Sequence, residues 1–381
     1  MEKQPEPHRA RSLRSIGLRL FASVCIGGAL FYLAFRELRP EDLLAAFGQA
    51  DYIWLLPYLG TLAGVHFLRA IRWGYLLDPL MASTPGPWRL LAISSVGFAA
   101  IILVPFRLGE LVRPYLIADP KGDSQGAGGS GPKGERLRMS AALGTIAVER
   151  AVDGLLVSFL LCASFLILAQ RPTAPSWMLP TAFTSLAVFG GATAVLALGL
   201  WRPRWAVAIA LTATLIGPLG RLLGGRMNSL RLRLEDLLIG TISGFAALSR
   251  AGSLTKFVGL TLVYWGLNGL GFYVLARAFH LELSVVGAFA LCGTIAIGVV
   301  LPAGPGLVGN FHEFGKVGLQ VSLPASIIAG PGMAYIVLTH GIQLIWYVGV
   351  GLLFLRSPHV RERGLLGASE ATSEAPRAPA T

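Results

Sequence analysis

The chain has 381 residues, of which 54% are hydrophobic and only 14% are charged, and its formal net charge is +12. This composition excludes a soluble globular domain, and apolar runs recur at about the 20 residues that a helix needs to cross a bilayer. The positive charge does not indicate nucleic-acid binding, because no recognition fold accompanies it. Basic loops that face anionic lipid head groups are typical of a membrane protein. The sequence therefore predicts an all-α, polytopic membrane helical bundle.

The apolar runs divide the chain into candidate spans, loops and tails. The candidate membrane segments are 16–35, 52–68, 90–104, 139–168, 179–200, 257–279, 285–301 and 334–355. Between the fifth and sixth lie 206–219 and 234–248, which are either interfacial helices or an additional hairpin. The flanking regions are a cytoplasmic N-terminal segment (1–15), a flexible Gly/Ser/Pro-rich loop (119–135) and a disordered tail (357–381).

The distribution of lysine and arginine predicts the topology. If all eight segments spanned, the loop 107–138 would face outward with six basic residues, against the positive-inside tendency. If 90–104 and 285–301 instead enter and return from opposite faces, 26 of the 32 lysines and arginines lie in the cytoplasm. The sequence therefore predicts a membrane domain (16–356) with about six full spans, two re-entrant hairpins and both termini cytoplasmic.

The predicted topology contains an internal symmetry. The halves 16–170 and 179–356 each read span, span, re-entrant segment, span, but they start on opposite faces. Paired Gly/Pro-interrupted segments in two inverted halves indicate the binding site of a transporter. The predicted hinge residues are Pro105, Gly109, Pro302, Pro305, Gly306 and Gly309.

The first hinge carries the charged motif "PFRLGELVR" (105–113). If the chain resumes as a helix here, Arg107, Glu110 and Arg113 share one face because they are spaced three residues apart. Two guanidiniums around one carboxylate leave surplus positive charge, and the guanidinium fork suits phosphate. The alternative is an interfacial Arg–Glu–Arg ladder that only anchors the helix.

A second charged motif lies inside the predicted span 139–168, where Glu149 and Asp153 are one helical turn apart and Arg150 lies beside them. Charges at this depth cost roughly 2.5–3.5 kcal/mol each and face a cavity or one another. Arg107 or Arg113 is the expected partner of the unpaired acid. These residues either form or support a binding site, or they are a structural salt-bridge cluster.

The second hinge, "LPAGPGLVGNFHEF" (301–314), matches G-x-G-x-x-G, but no βαβ unit surrounds it. His312 and Glu313 resemble half of a zinc-protease motif, yet Lys316 occupies the place of the second histidine. We therefore predict no cofactor and no metal, and we interpret the stretch as a hinge that carries His312 and Glu313 to the second re-entrant tip.

Four other polar residues interrupt or follow apolar runs. Arg69 and Arg72 follow the second predicted span and are either interfacial anchors, the favoured interpretation, or ligand-binding residues. His340 and Gln343, one turn apart in the last span, either form interhelical hydrogen bonds or line a cavity.

The combination of "RAIRWGYLL" (69–77), "PFRLGELVRPYL" (105–116), "ERAVDGL" (149–155) and "LPAGPGLVGNF" (301–311) resembles the membrane domain of lysylphosphatidylglycerol synthases, a flippase-like family. The resemblance implies a multi-pass protein of the bacterial inner membrane that handles phospholipid. In the full synthases this domain is thought to flip aminoacylated phosphatidylglycerol made by a separate C-terminal domain. The resemblance here covers the membrane domain alone, so a lysyltransferase activity is not expected.

These observations predict a translocase of an anionic or aminoacylated phospholipid or a related lipid, with membrane lipids as its partners and no nucleic acid. The alternatives are a non-catalytic membrane partner of a lipid or polysaccharide pathway, and an integral-membrane head-group transferase with Glu149 or Asp153 as base. A homo-oligomer or a complex with another membrane protein is compatible with the sequence. No catalytic residue is assigned; the candidate substrate-binding residues are Arg107, Glu110, Arg113, Glu149, Arg150, Asp153, His312, Glu313 and His340.

Overall fold

The computed structural model describes residues 21, 23–81, 83–104, 109–118, 137–172, 174–201, 251–301 and 304–361, and its regular elements within these ranges are helices. In chain order they are α1 (Ser23–Phe35), α2 (Pro40–Gly48), α3 (Leu55–Leu77), α4 (Pro87–Leu103), α5 (Val112–Ile117), α6 (Met139–Leu168), α7 (Met178–Trp201), α8 (Ala251–Ala276), α9 (Val285–Gly298), α10 (Asn310–Gln320), α11 (Met333–Leu355) and α12 (Pro358–Arg361). Predictions that lie outside the described residues concern Pro105, Arg107, Pro302, the segments 1–15, 119–135, 206–219 and 234–248, and the tail beyond residue 361.

Each of the eight predicted apolar segments overlaps a helix in the described residues. Four described stretches are long and apolar enough to cross a membrane: Met139–Leu168, Met178–Val195, Gly252–Phe279 and Ala325–Leu355. Helices α1, α4 and α9 are apolar but shorter. Helix α3 continues past the predicted end at residue 68 to Leu77, and this extension positions the candidate site.

Helices α9 and α10 form a tight antiparallel hairpin. At its closed end the Asn310 side-chain amide donates to the carbonyl of Gly298 at 3.0 Å, and further along Gly318 packs against Leu291. The connecting turn requires glycine at Gly309, whose φ is +89° and whose added Cβ would lie 2.0 Å from a backbone oxygen of α1. The chain therefore reverses direction directly after α9.

After α4, the described residues 109–118 lead back along this helix. Gly109 lies against the backbone of Ala100, and one turn deeper the side chain of Arg113 lies against Gly97. A Cβ on Gly97 would lie 2.3 Å from Cγ of Arg113, so only glycine leaves room for this arginine. Short helix α5 consequently runs back along the end of α4.

Packing partners correspond between the two halves of the chain. Helix α3 packs against α8 at the centre, α4 packs against α11, and α9 packs against α6. Helix α3 also contacts α4, as α8 contacts α9. The buried apolar side chains form clusters along these contacts, including one around Trp73 and Ile93 and another around Leu291 and Tyr335.

The α9–α10 hairpin is also joined to α1. The Lys316 ammonium donates to the carbonyl of Leu33 at 3.2 Å and lies 3.5 Å from the Glu37 carboxylate. Lys316, together with Arg36, holds the pKa of the exposed Glu37 carboxyl below its usual value. These contacts attach the end of α1 to the middle of α10.

Candidate functional site

Arg72 lies at the centre of a buried ion-pair network between α3 and α6. Its guanidinium donates to the two Asp153 oxygens at 2.5 and 2.7 Å and to Glu149 Oε1 at 3.1 Å. The side chains of Arg72 and Glu149 are 0% exposed. The interpretation of Arg72 as an interfacial anchor is therefore wrong, because α3 continues beyond it and turns this residue toward the carboxylates of α6.

Two further arginines complete the network. Arg113 on α5 donates to both Glu149 oxygens, so it is one of the two arginines predicted to partner these acids. Arg150 lies 2.6 Å from Glu149 Oε1 and 3.3 Å from Asp153 Oδ2. Three guanidiniums therefore share two carboxylates.

Helix α8 supplies neutral donors, acceptors and aromatic faces to the same network. The Trp265 indole N–H donates to Asp153 Oδ1 at 3.1 Å, and the Thr261 hydroxyl oxygen accepts from Arg72 at 3.2 Å. The Tyr264 ring lies under the Arg72 guanidinium, with 4.3 Å from Cζ to the ring centroid. With their oxygens already bound to guanidiniums, Glu149 and Asp153 are suited to holding the arginines in place and poorly suited to accepting a proton from a substrate.

A cavity of about 510 Å³ borders this network, within the size range of small-molecule sites. Its polar lining includes Arg69, Glu110, Arg150, Asp153, Asn268, His340 and Gln343. The remaining wall is mainly aliphatic and aromatic. The cavity also reaches both chain reversals, through Ile102 at the end of α4 and Gly306 in the α9–α10 turn.

The structure brings some of the predicted site residues together around this cavity and leaves others apart. Those that line it are Glu110, Arg150, Asp153, Gly306 and His340. Arg113 and Glu149 are buried in the wall behind it. Among the described residues, the following predicted ones do not line the cavity: Gly109, Pro305, Gly309, His312 and Glu313.

Gln343 forms an interhelical hydrogen bond, His340 forms a hydrogen bond to a turn, and both side chains lie at the cavity. The His340 Nε2 atom lies 2.8 Å from the carbonyl oxygen of Gly306 and so connects α11 to the second hinge. The Gln343 amide donates to the Tyr58 hydroxyl at 3.1 Å. Both residues also line the cavity.

His312 packs in an aromatic cluster, with ring centroids 5.3 Å from Phe35 and 4.8 Å from His340. One Glu313 oxygen is buried without a hydrogen-bond partner. In the part of the chain that the structure describes, no three His, Cys, Asp or Glu residues are grouped to hold a metal ion.

The sequence interpretation missed four residues that matter here: Arg69, Arg72, Tyr264 and Trp265. One signal could have identified the arginines, since two carboxylates one turn apart on α6 need more positive charge than Arg150 supplies. Arg69 and Arg72 are spaced three residues apart on one helix, as required to face a common partner. The aromatic residues of α8 carried no such signal.

The comparisons with known proteins agree with this architecture at the level of the family. Residues 20–351 match the family model described as lysylphosphatidylglycerol synthase TM region. No curated protein and no solved structure matches the chain significantly. The match extends over all the major helices, from α1 to α11. The chain therefore belongs to the lysylphosphatidylglycerol synthase transmembrane-region family and is an integral membrane protein of a lipid-related family.

Proposed function

We propose that the protein is a translocase that moves an anionic or aminoacylated phospholipid, or a related lipid, across the bacterial inner membrane. The observation that carries this proposal is a single cavity that borders a buried arginine–carboxylate network and reaches both chain reversals. Irregular backbone at membrane depth is tolerated where it is buried in protein or lines a polar cavity. A site between two such reversals opens to one face of the membrane when the first reversal moves and to the other face when the second moves.

For the topology, we propose six full spans and two re-entrant hairpins, α4–α5 and α9–α10, in two inverted halves with both termini cytoplasmic. Both hairpins turn back on themselves, as a re-entrant segment must. The exchange of packing partners, in which α4 with α11 corresponds to α9 with α6, supports the inverted repeat. The positive-inside tendency orients the termini.

Chemically, the cavity offers a lipid head group two different walls. Arg150 presents a guanidinium, whose planar fork matches the oxygens of a phosphate. Glu149 and Asp153 hold Arg150 in position and limit how tightly it binds an anion, which favours release on the other side. The aliphatic wall accepts the glycerol backbone and the first part of the acyl chains.

Lipid movement in proteoliposomes tests the proposal. Vesicles with the full-length protein should expose a fluorescent anionic phospholipid of the inner leaflet to an added quencher faster than protein-free vesicles. Arg150→Gln should slow this movement about tenfold, because a charged hydrogen bond contributes roughly 1.5–3 kcal/mol.

The matched control is Arg171→Gln, which replaces an exposed arginine that does not line the cavity and should move lipid at the wild-type rate. Equal rates for protein-containing and protein-free vesicles would reject the translocase. Equal rates for wild type and Arg150→Gln would reject the assigned site.

A further inference from the structure

Arg69 differs from the other arginines at the site because no carboxylate in the described ranges forms an ion pair with it. Arg72, Arg113 and Arg150 each pair with Glu149 or Asp153. Arg69 instead stacks on Phe98, with 4.0 Å from Cζ to the ring centroid. Its Nε atom is buried and has no hydrogen-bond partner.

An arginine in this state has unused binding capacity. A cation–π contact offsets only part of the cost of a charged side chain at membrane depth. The Tyr347 hydroxyl is a hydrogen-bond partner of the Arg69 side chain, and the Nε donor of the planar guanidinium has no acceptor in the described part of the protein. Because Arg69 lines the cavity, a ligand that enters can supply the acceptor.

The charge around the cavity indicates the class of ligand. Among the described residues, four arginines (Arg69, Arg72, Arg113 and Arg150) and three carboxylates (Glu110, Glu149 and Asp153) line the cavity or form its network. Among these described side chains the arginines outnumber the carboxylates, which favours an anionic ligand. A phosphodiester carries a single negative charge, whereas a phosphomonoester carries about −1.5 to −2 at neutral pH.

The rest of the wall favours a ligand with an apolar part. Phe98 and Ile101 from α4 and Leu344 and Tyr347 from α11 line the same cavity as Arg69. An inorganic anion would leave this surface without a partner, while an amphiphile would cover it and bury its own apolar area.

We propose that Arg69, stacked on Phe98 at the cavity wall, binds the phosphodiester group of a lipid together with Arg150. The inference deepens the translocase proposal, because it names the anchoring residue and the ligand chemistry of the same cavity. Arg72 and Arg113 shape the cavity wall, Arg150 supplies further donors, and Arg69 supplies the charge that the ligand neutralises.

Titration calorimetry on the full-length protein in a neutral maltoside detergent tests this inference. The probes are dioctanoylphosphatidylglycerol, the uncharged dioctanoylglycerol and inorganic phosphate. Arg69→Gln should weaken the binding of the anionic lipid about tenfold or more and leave the uncharged lipid unchanged. Arg69→Lys should fall between wild type and Arg69→Gln, since lysine keeps the charge and lacks the fork.

The control Arg171→Gln should bind all probes as the wild type does. Arg69→Gln should also keep the wild-type melting temperature, because the loss of the Arg69 guanidinium breaks no ion pair among the described residues. Unchanged affinity of Arg69→Gln for the anionic lipid would overturn the inference, as would an equal loss for the uncharged lipid. Inorganic phosphate that binds as tightly as the anionic lipid would overturn the assignment to a lipid.

The proteoliposome assay separates failure of this inference from failure of the translocase. Arg69-dependent lipid binding without movement between leaflets would support the inference and reject the translocase. Undiminished lipid movement in Arg69→Gln would overturn the inference and leave the translocase in place.

Discussion

Replacing Arg72 with methionine is expected to lower the free energy of unfolding by about 3–5 kcal/mol, the effect of removing one partner from a buried ion pair. Arg72 holds both Asp153 oxygens and one Glu149 oxygen, and its side chain is 0% exposed. Its loss leaves Asp153 with far less positive charge nearby. The measurement is an SDS titration of the purified protein in mixed micelles.

Two further variants isolate the cause of this loss. The double variant Arg72→Met/Asp153→Leu should recover part of the lost stability, because an apolar pair of similar volume can replace a buried ion pair. Arg171→Met, which removes an exposed arginine, should change little. A single variant Arg72→Met as stable as the wild type would show that the network is not a structural element of the fold.

Replacing Glu149 with glutamine is expected to be comparably destabilising, by about 3–5 kcal/mol. Glu149 is the acid on which Arg72, Arg113 and Arg150 converge. Glutamine keeps the shape but removes the charge, so Arg113 loses the carboxylate that it pairs with, and Arg72 and Arg150 keep the carboxylate of Asp153. The readout is again the SDS midpoint, measured together with the yield of monodisperse protein.

Adding Arg113→Met to Glu149→Gln should restore part of the lost stability, because the second substitution removes one of the guanidiniums left in excess. The matched control is Glu37→Gln, an exposed acid that pairs with Lys316, and it should leave the midpoint nearly unchanged. If Glu149→Gln and Glu37→Gln had the same midpoint, the network would contribute nothing to stability.

The long apolar elements could be predicted from the sequence because composition alone determines them. Helix α6 occupies 139–168 as predicted, and the other seven apolar segments each correspond to a helix. The end of α3 was misplaced, because arginine after an apolar run is typical of a membrane interface. This rule considers each residue alone. It does not take into account Asp153, 81 positions away, whose carboxylate makes Arg72 acceptable inside the bundle.

The candidate site could be predicted in part. Glu149, Arg150 and Asp153 were identified because charges in a long apolar helix need partners. Their division into wall and lining depends on tertiary packing: Glu149 lies behind the cavity surface, and Asp153 lies on it. Arg69 and Arg72 share one face of α3, but Arg72 pairs with the carboxylates of α6, whereas Arg69 lies one turn earlier and stacks on Phe98.

The central claim, that two hairpins from opposite faces of the membrane meet around a polar cavity, is tested most directly by cysteine accessibility in intact cells. Three exposed serines mark the ends of the hairpins: Ser83 precedes α4, Ser284 precedes α9 and Ser326 follows α10. Each is replaced by cysteine in a protein without Cys25, Cys162 and Cys292. A membrane-impermeant maleimide should label Ser284→Cys and Ser326→Cys from outside, and Ser83→Cys only after permeabilisation. Labelling of Ser284→Cys and Ser326→Cys from opposite faces would contradict the account.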